Sequence, residues 1–149
     1  MGLGILKLLH VAFGATWFGV GLLATGDARR TAELGGAHLA PLYQRLLRIA
    51  LIARISAIGV LLSGVGLILM SGGFAHVAVR YHIALGLTLV AAGLGAAMGK
   101  IVLGMQALGD SATPQVLQPR VKKLTALAGA HQLLWILILA CMVLPLERL

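Results

Sequence analysis

Four long apolar stretches separated by short polar segments set the plan of this chain: Leu3 to Thr25, Leu47 to Met70, Tyr81 to Met105 and Leu124 to Leu144. Each is long enough to cross a hydrocarbon layer of roughly 30 Å, which takes about 20 helical residues. Lipid offers the backbone no hydrogen-bond partner, so each stretch must close its own bonds as a helix. The pattern therefore predicts an all-α integral membrane four-helix bundle, one transmembrane domain over residues 1–149. Lys7 before an apolar run, with small residues from Ala24 to Ala28, resembles a secretory signal. The stretch is read here as a retained span.

The connections differ in character. The first, Gly26 to Leu46, is the longest, and from Leu39 to Arg48 it sets Tyr43, Leu46 and Leu47 against Arg45 and Arg48, which predicts an interfacial amphipathic helix leading into the second span. The second, Ser71 to Arg80, is short and carries His76. In the third, Pro114 and Pro119 are expected to break helical structure and delimit a loop. The chain shows no convincing internal repeat and no long low-complexity segment.

Composition supports the membrane reading, with 60% hydrophobic residues, 11% charged residues and a mean hydropathy of +1.00, far from a soluble domain. The formal net charge of +8 could mark a nucleic-acid binder, but its placement argues against that. Arg29, Arg30, Arg45 and Arg48 fall in or beside the first connection, and Lys100, Arg120, Lys122 and Lys123 in or beside the third. By the positive-inside rule those two loops are cytoplasmic and both termini lie outside, with the cations against anionic lipid headgroups. The expected location is a bacterial inner (plasma) membrane, with no nucleic-acid partner. Cys141 is the single cysteine, so no intrachain disulfide can form. Without Cys-x-x-Cys-His, any haem is held noncovalently.

Candidate chemistry rests on histidine. An ionisable residue at membrane depth is a functional candidate, and His10 lies inside the first span. His10, Gly14, Trp17 and Gly21 follow at helical steps and share one face. That face suits a flat macrocycle, which glycine lets approach and an aromatic ring can edge. From spacing alone, close helix packing is the favoured account of that face. In the third span His82, Gly86, Gly93 and Lys100 fall nearly on one line, and the rise from His82 to Lys100 is roughly 27 Å, which puts His82 at the outer boundary and Lys100 at the inner one. His10, about two turns below the outer surface, can then share a site with His82, while His131 enters from the cytoplasmic side and falls outside it. Arg54 and Lys100 have no acidic partner in any span and are expected to snorkel to headgroups. Arg80, beside His82, is placed for the propionates of a haem. Gly95 with Gly99, and Gly59 with Ser63, form small-xxx-small pairs expected to pack helices.

The run Lys7-Leu8-Leu9-His10 followed by Thr16-Trp17-Phe18-Gly19 resembles the first span of the HemJ-type protoporphyrinogen oxidases and their copper-resistance-D-like relatives. The resemblance continues through Leu42-Tyr43-Gln44-Arg45, Tyr81-His82-Ile83 and Gly99-Lys100, and covers most of the chain. It implies that His10 and His82 serve haem b binding and activity. The chain departs from the family at Ala84, where the family carries a lysine, and at Gly95, where it carries a histidine. Ala130-His131-Gln132 stands where the family has an Asn-Glu pair.

The expected function is that of a b-type haem-binding membrane protein serving electron transfer or porphyrin (protoporphyrinogen) oxidation. The iron would be ligated by His10 and His82, with Gly14, Trp17 and Arg80 completing the haem site. Two histidines would give a six-coordinate electron-transfer centre, and one would leave a position open for chemistry. The expected partners are membrane lipids and haem, with a homodimer or larger complex left open. Two alternatives are a copper-handling protein and a non-catalytic accessory subunit of a respiratory or photosynthetic complex. Cu(I) favours sulfur ligands, and Met70, Met98, Met105 and Met142 are scattered along the chain.

Overall fold

The computed structural model describes residues 2–144. Four helices account for nearly all of them: α1 (Gly2–Leu34), α2 (Leu39–Met70), α3 (Val79–Gln106) and α4 (Pro114–Val143). All four are long and apolar enough to cross a membrane. At 28 to 33 residues each, they reach about 42–50 Å and outrun the hydrocarbon layer. Short single-turn helices at Gly36–His38 and Phe74–His76 sit in the first two connections.

Short connections make neighbours antiparallel. α1 packs on α2 and α4, and α3 packs on α4, leaving α1 and α3 on the diagonal. The seam between α2 and α3 is the most sparsely packed of the four. The outward surface is apolar, with Leu8 69% and Leu62 70% exposed. A soluble monomer rarely shows apolar surface this continuous, whereas lipid tails cover it at no cost.

Two buried clusters hold the bundle. One brings Trp17 of α1, Val60 of α2, Ala84 and Ala91 of α3, and Trp135 and Ile138 of α4 together. The other lies toward the basic loops and is built from Ala32, Leu39, Leu42, Leu46, Met105, Leu117 and Val121. That second cluster corrects two expectations. Leu39 to Arg48 is no separate interfacial helix but the first turns of α2, because Leu39, Leu42 and Leu46 find protein partners on α3 and α4. Pro119 does not end a helix either. It lies inside α4, near its start, where Gln115, four residues back, is exposed and the buried Leu117 and Val121 hold the turn. Pro114 occupies the first turn of the same helix, where a missing N–H is harmless.

The two basic loops dock on each other. Gly36 N–H donates to the Ala112 carbonyl at 2.8 Å, and Arg120 donates to the Gly104 carbonyl. Arg45 clamps Asp27 with two bonds of 2.7 and 2.9 Å. At the opposite end α2 stops in a Schellman turn: Gly72 N–H bonds the Leu69 carbonyl at 3.2 Å and Gly73 N–H bonds the Ile68 carbonyl at 3.0 Å. Gly72 and Gly73 have φ of +101° and +91°, a region only glycine enters without strain.

Candidate functional site

α1 meets its neighbours through two stripes. Leu6, His10 and Phe13 lie over Gly66, Gly64 and Gly59 of α2. Gly14 faces the ring of Trp135, and Gly21 faces Gln132 and His131, all on α4. The single helical face read from the sequence is therefore divided between two neighbours, with His10 turned to α2 and Gly14, Trp17 and Gly21 to α4.

His10 lines a cavity of about 370 Å³ at the Schellman-turn end of the bundle, within the usual size range of small-molecule and cofactor sites. Its walls are mainly apolar, from Val60, Leu61, Leu67, Ile68 and Leu85. Its polar groups are Lys7, His10, Ser71, His76, Tyr81 and Thr88. Among the described residues neither Asp nor Glu lines it. The cavity lies at the sparse seam between α2 and α3, with α1 and Met142 of α4 also contributing to its lining.

The hydrogen bonds around His10 decide its proton. The Ser63 hydroxyl donates to the Gly59 carbonyl of its own helix, with the Val60 carbonyl 3.2 Å away. A hydroxyl has one proton to give, so the oxygen meets His10 Nδ1, 2.9 Å away, as an acceptor. Nδ1 then serves as the donor of this contact, and Nε2 is the ring nitrogen that Ser63 does not hold. A buried oxygen holding one ring nitrogen so that the other can ligate is the arrangement found around metal-bound imidazole.

The other expected residues lie elsewhere. His82 is exposed on the bundle surface, its ring 5.9 Å from that of Phe74, and it does not line the cavity. The reason is helix rotation. Tyr81, Leu85 and Thr88 face the cavity and Ala84 is fully buried, which turns His82 outward. The whole line from His82 goes with it: a Cβ at Gly86 or Gly93 would meet nothing within 4 Å, and Lys100 is exposed. Gly95 and Gly99 also face open space rather than a packed helix. Arg80 does not line the cavity, because it ties the start of α3 to the end of α4 through the Leu144 carbonyl at 2.9 Å and stacks over Tyr81 at 5.0 Å. Trp17 is a core residue, 4% exposed and edge-on to Trp135 at 5.1 Å. Gly14 serves that same packing.

Two residues of the cavity were passed over in the sequence. His76 lies in a connecting loop, where a histidine reads as solvated. Met142 closes the cavity beside α1, although it looked isolated among scattered methionines. Both sit at the end of the bundle that holds His10, and that shared depth was the available signal. His131 lies apart from the cavity in the α1–α4 seam, 2% exposed, with neither ring nitrogen hydrogen-bonded among the described residues. No group of three His, Cys, Asp or Glu able to hold a metal ion by itself occurs among the described residues.

Comparisons of the chain with protein-family models, with curated proteins and with solved structures return no match.

Proposed function

We propose that this is an integral membrane haem b protein, held noncovalently through His10, that serves electron transfer or porphyrin oxidation at the bilayer. One observation carries the reading. His10 lines a mainly apolar cavity of about 370 Å³, with its Nδ1 held 2.9 Å from the Ser63 hydroxyl. The donor set fits a haem: neutral imidazole is a common axial ligand, and the apolar walls suit the macrocycle. Lys7 at the cavity supplies the cation that a carboxylate edge requires.

Haem bound there would supply one-electron redox chemistry. The chain's own contribution is positional. Ser63 holds the ring of His10, the apolar walls from α2 and α3 shape the site, and Lys7 and Tyr81 offer donors at the polar rim. With the basic loops cytoplasmic by the positive-inside rule, the cavity belongs to the outer half of the bilayer. The membrane is then the bacterial inner membrane.

The test is spectroscopic. Purified protein given haemin is expected to show a reversible reduced-minus-oxidised b-type spectrum and to release its pigment into acidified organic solvent. His10→Ala should lose the spectrum, and His38→Ala, at the opposite end of the chain's fold, should keep it. A preparation that stays colourless with haemin refutes the proposal. Electron transfer and porphyrin oxidation separate in cells lacking protoporphyrinogen oxidase. The departures at Ala84 and Gly95 predict no rescue, and rescue that depends on His10 would assign the oxidase. A copper-handling reading has one observation in its favour, Met142 in the same cavity as His10, and Cu(I) bound in preference to haemin would select it.

A further inference from the structure

We propose that the seam between α1 and α4 is the gate of the cavity: two helical hairpins, α1–α2 and α3–α4, part there at the cavity end, and His131, Gln132 and Trp135 become the polar lining of the opened cleft. The inference goes beyond the haem reading and rests on it only for what the gate admits.

Packing divides the bundle along this line. α1 packs most extensively on α2, and α3 on α4, whereas the two seams between these pairs are sparser. At the basic end the pairs are bound together. The Gly36 N–H donates to the Ala112 carbonyl at 2.8 Å, and one buried cluster joins Ala32, Leu39, Leu42 and Leu46 of the first hairpin to Met105, Leu117 and Val121 of the second. At the cavity end the connection over residues 71–78 ties α2 to α3. The connections run from α1 to α2, α2 to α3 and α3 to α4, so none of them closes the seam between α1 and α4. The hairpins can part on that side, with the basic end as pivot.

The closed seam is costly. Five side-chain atoms on one face of α4 are buried without a hydrogen bond among the described residues: both ring nitrogens of His131, both amide atoms of Gln132 and the indole Nε1 of Trp135. Against them α1 sets an aromatic ring and a glycine. Trp17 meets His131 and Trp135 edge-on at ring distances of 5.6 and 5.1 Å, and Gly21 lies under the Gln132 amide. The buried hydroxyls of Ser63 and Thr88, by contrast, donate to the Gly59 and Ala84 carbonyls of their own helices. Buried polar atoms without partners are penalised, and moving α1 away from α4 gives all five to water. Aromatic packing therefore favours the closed seam and the stranded groups favour the open one, which is the balance a two-state element needs.

The seam leads into the cavity. A Cβ on Gly14 would lie 3.7 Å from the Trp135 ring and 4.0 Å from Val60, and Val60 lines the cavity, as do Lys7 and His10 of α1 and Met142 of α4. Parting α1 from α4 opens that wall and extends the cavity toward His131. A rigid amphipathic macrocycle then enters edge-on between the hairpins, with the connection between α2 and α3 left intact.

The experiment uses the full chain in lipid nanodiscs, in a Cys141→Ser background, with spin labels at exposed positions. Val11→Cys with Leu139→Cys spans the gate, and Val11→Cys with Leu62→Cys stays within one hairpin. Double electron–electron resonance is expected to give a broad or two-peaked distance distribution across the gate and a single narrow one within the hairpin. His131→Phe and Gln132→Leu, which remove stranded atoms, should each narrow the cross-gate distribution to its short component. With haemin, both variants should keep wild-type affinity while association and dissociation slow together, by roughly five- to thirty-fold for a stranded group worth one or two kcal/mol. A single narrow cross-gate distribution in the wild type, equal breadth within the hairpin, or unchanged haemin kinetics in both variants would overturn the gate and leave the haem reading standing. A two-state cross-gate distribution in a protein that takes up no haemin would remove the haem reading and leave the gate.

Discussion

Replacing Ser63 by alanine separates a structural role for the His10 hydrogen bond from a ligand-orienting one. The Ser63 hydroxyl donates to the Gly59 carbonyl of its own helix, with the Val60 carbonyl 3.2 Å away, and accepts from His10 Nδ1 across the α1–α2 interface. Those carbonyls keep their helical partners in Ser63→Ala, so the change strands only the Nδ1–H of His10. Interhelical hydrogen bonds in membranes average about 0.6 kcal/mol and reach about 1.7, so the loss of stability should be about 1 kcal/mol. The loss of haem affinity should be larger. Outer partners of metal-bound histidine are worth roughly 10–100-fold in affinity, or about 1.4–2.8 kcal/mol at about 1.4 per decade, because an untethered ring can rotate or exchange its tautomer. Haemin titration followed at the Soret band measures the second quantity, and reversible unfolding in mixed micelles measures the first. Ser63→Thr, which keeps the hydroxyl, should bind close to wild type. Wild-type affinity in Ser63→Ala would refute the argument that this bond prepares His10 as a ligand.

Three further outcomes follow from packing and charge placement. Gly59→Ala sets a Cβ 2.5 Å from Phe13 Cγ; the overpacking should cost about 1–3 kcal/mol, and Phe13→Ala in the same chain should recover part of it, as a double-mutant unfolding cycle would show. His131→Phe keeps a ring against Trp17 but removes two buried nitrogens that lack hydrogen bonds, so unfolding should show stability equal to wild type or higher by about 1–3 kcal/mol. Haemin binding should be unchanged, since His131 does not line the cavity, and a clear loss of either would contradict the description of that seam. In a Cys141→Ser background, a membrane-impermeant maleimide should label Ala75→Cys in intact cells and Ser111→Cys only after permeabilisation. The reverse pattern would invert the proposed topology.

The sequence by itself determined the parts of this protein that depend on solvent and period. Apolar runs of membrane length must be helices because lipid leaves the backbone no other partner, and four such runs with short connections leave little besides an antiparallel bundle. Relative level along the bundle was legible too, since rise per residue separates His10 from His131, which meets α1 at Gly21. Rotation was not. One residue of phase, about 100° on a helix, separates Tyr81 in the cavity from His82 on the surface, and a helix that is apolar all round carries no stripe from which that phase can be read. The tertiary structure supplied it through close packing: Gly59 under Phe13, Gly14 against Trp135, and Ala84 and Ala91 buried in the core. The same packing drew Leu39, Leu42 and Leu46 into α2 and carried α4 through Pro119, because a buried face outweighs a local breaker. It also left α2 and α3 loosely joined, and only that gap brought a loop histidine, His76, to the cavity of a span histidine, His10. A pairing between residues so far apart in sequence is set by which helix faces close on each other, and no local pattern records it.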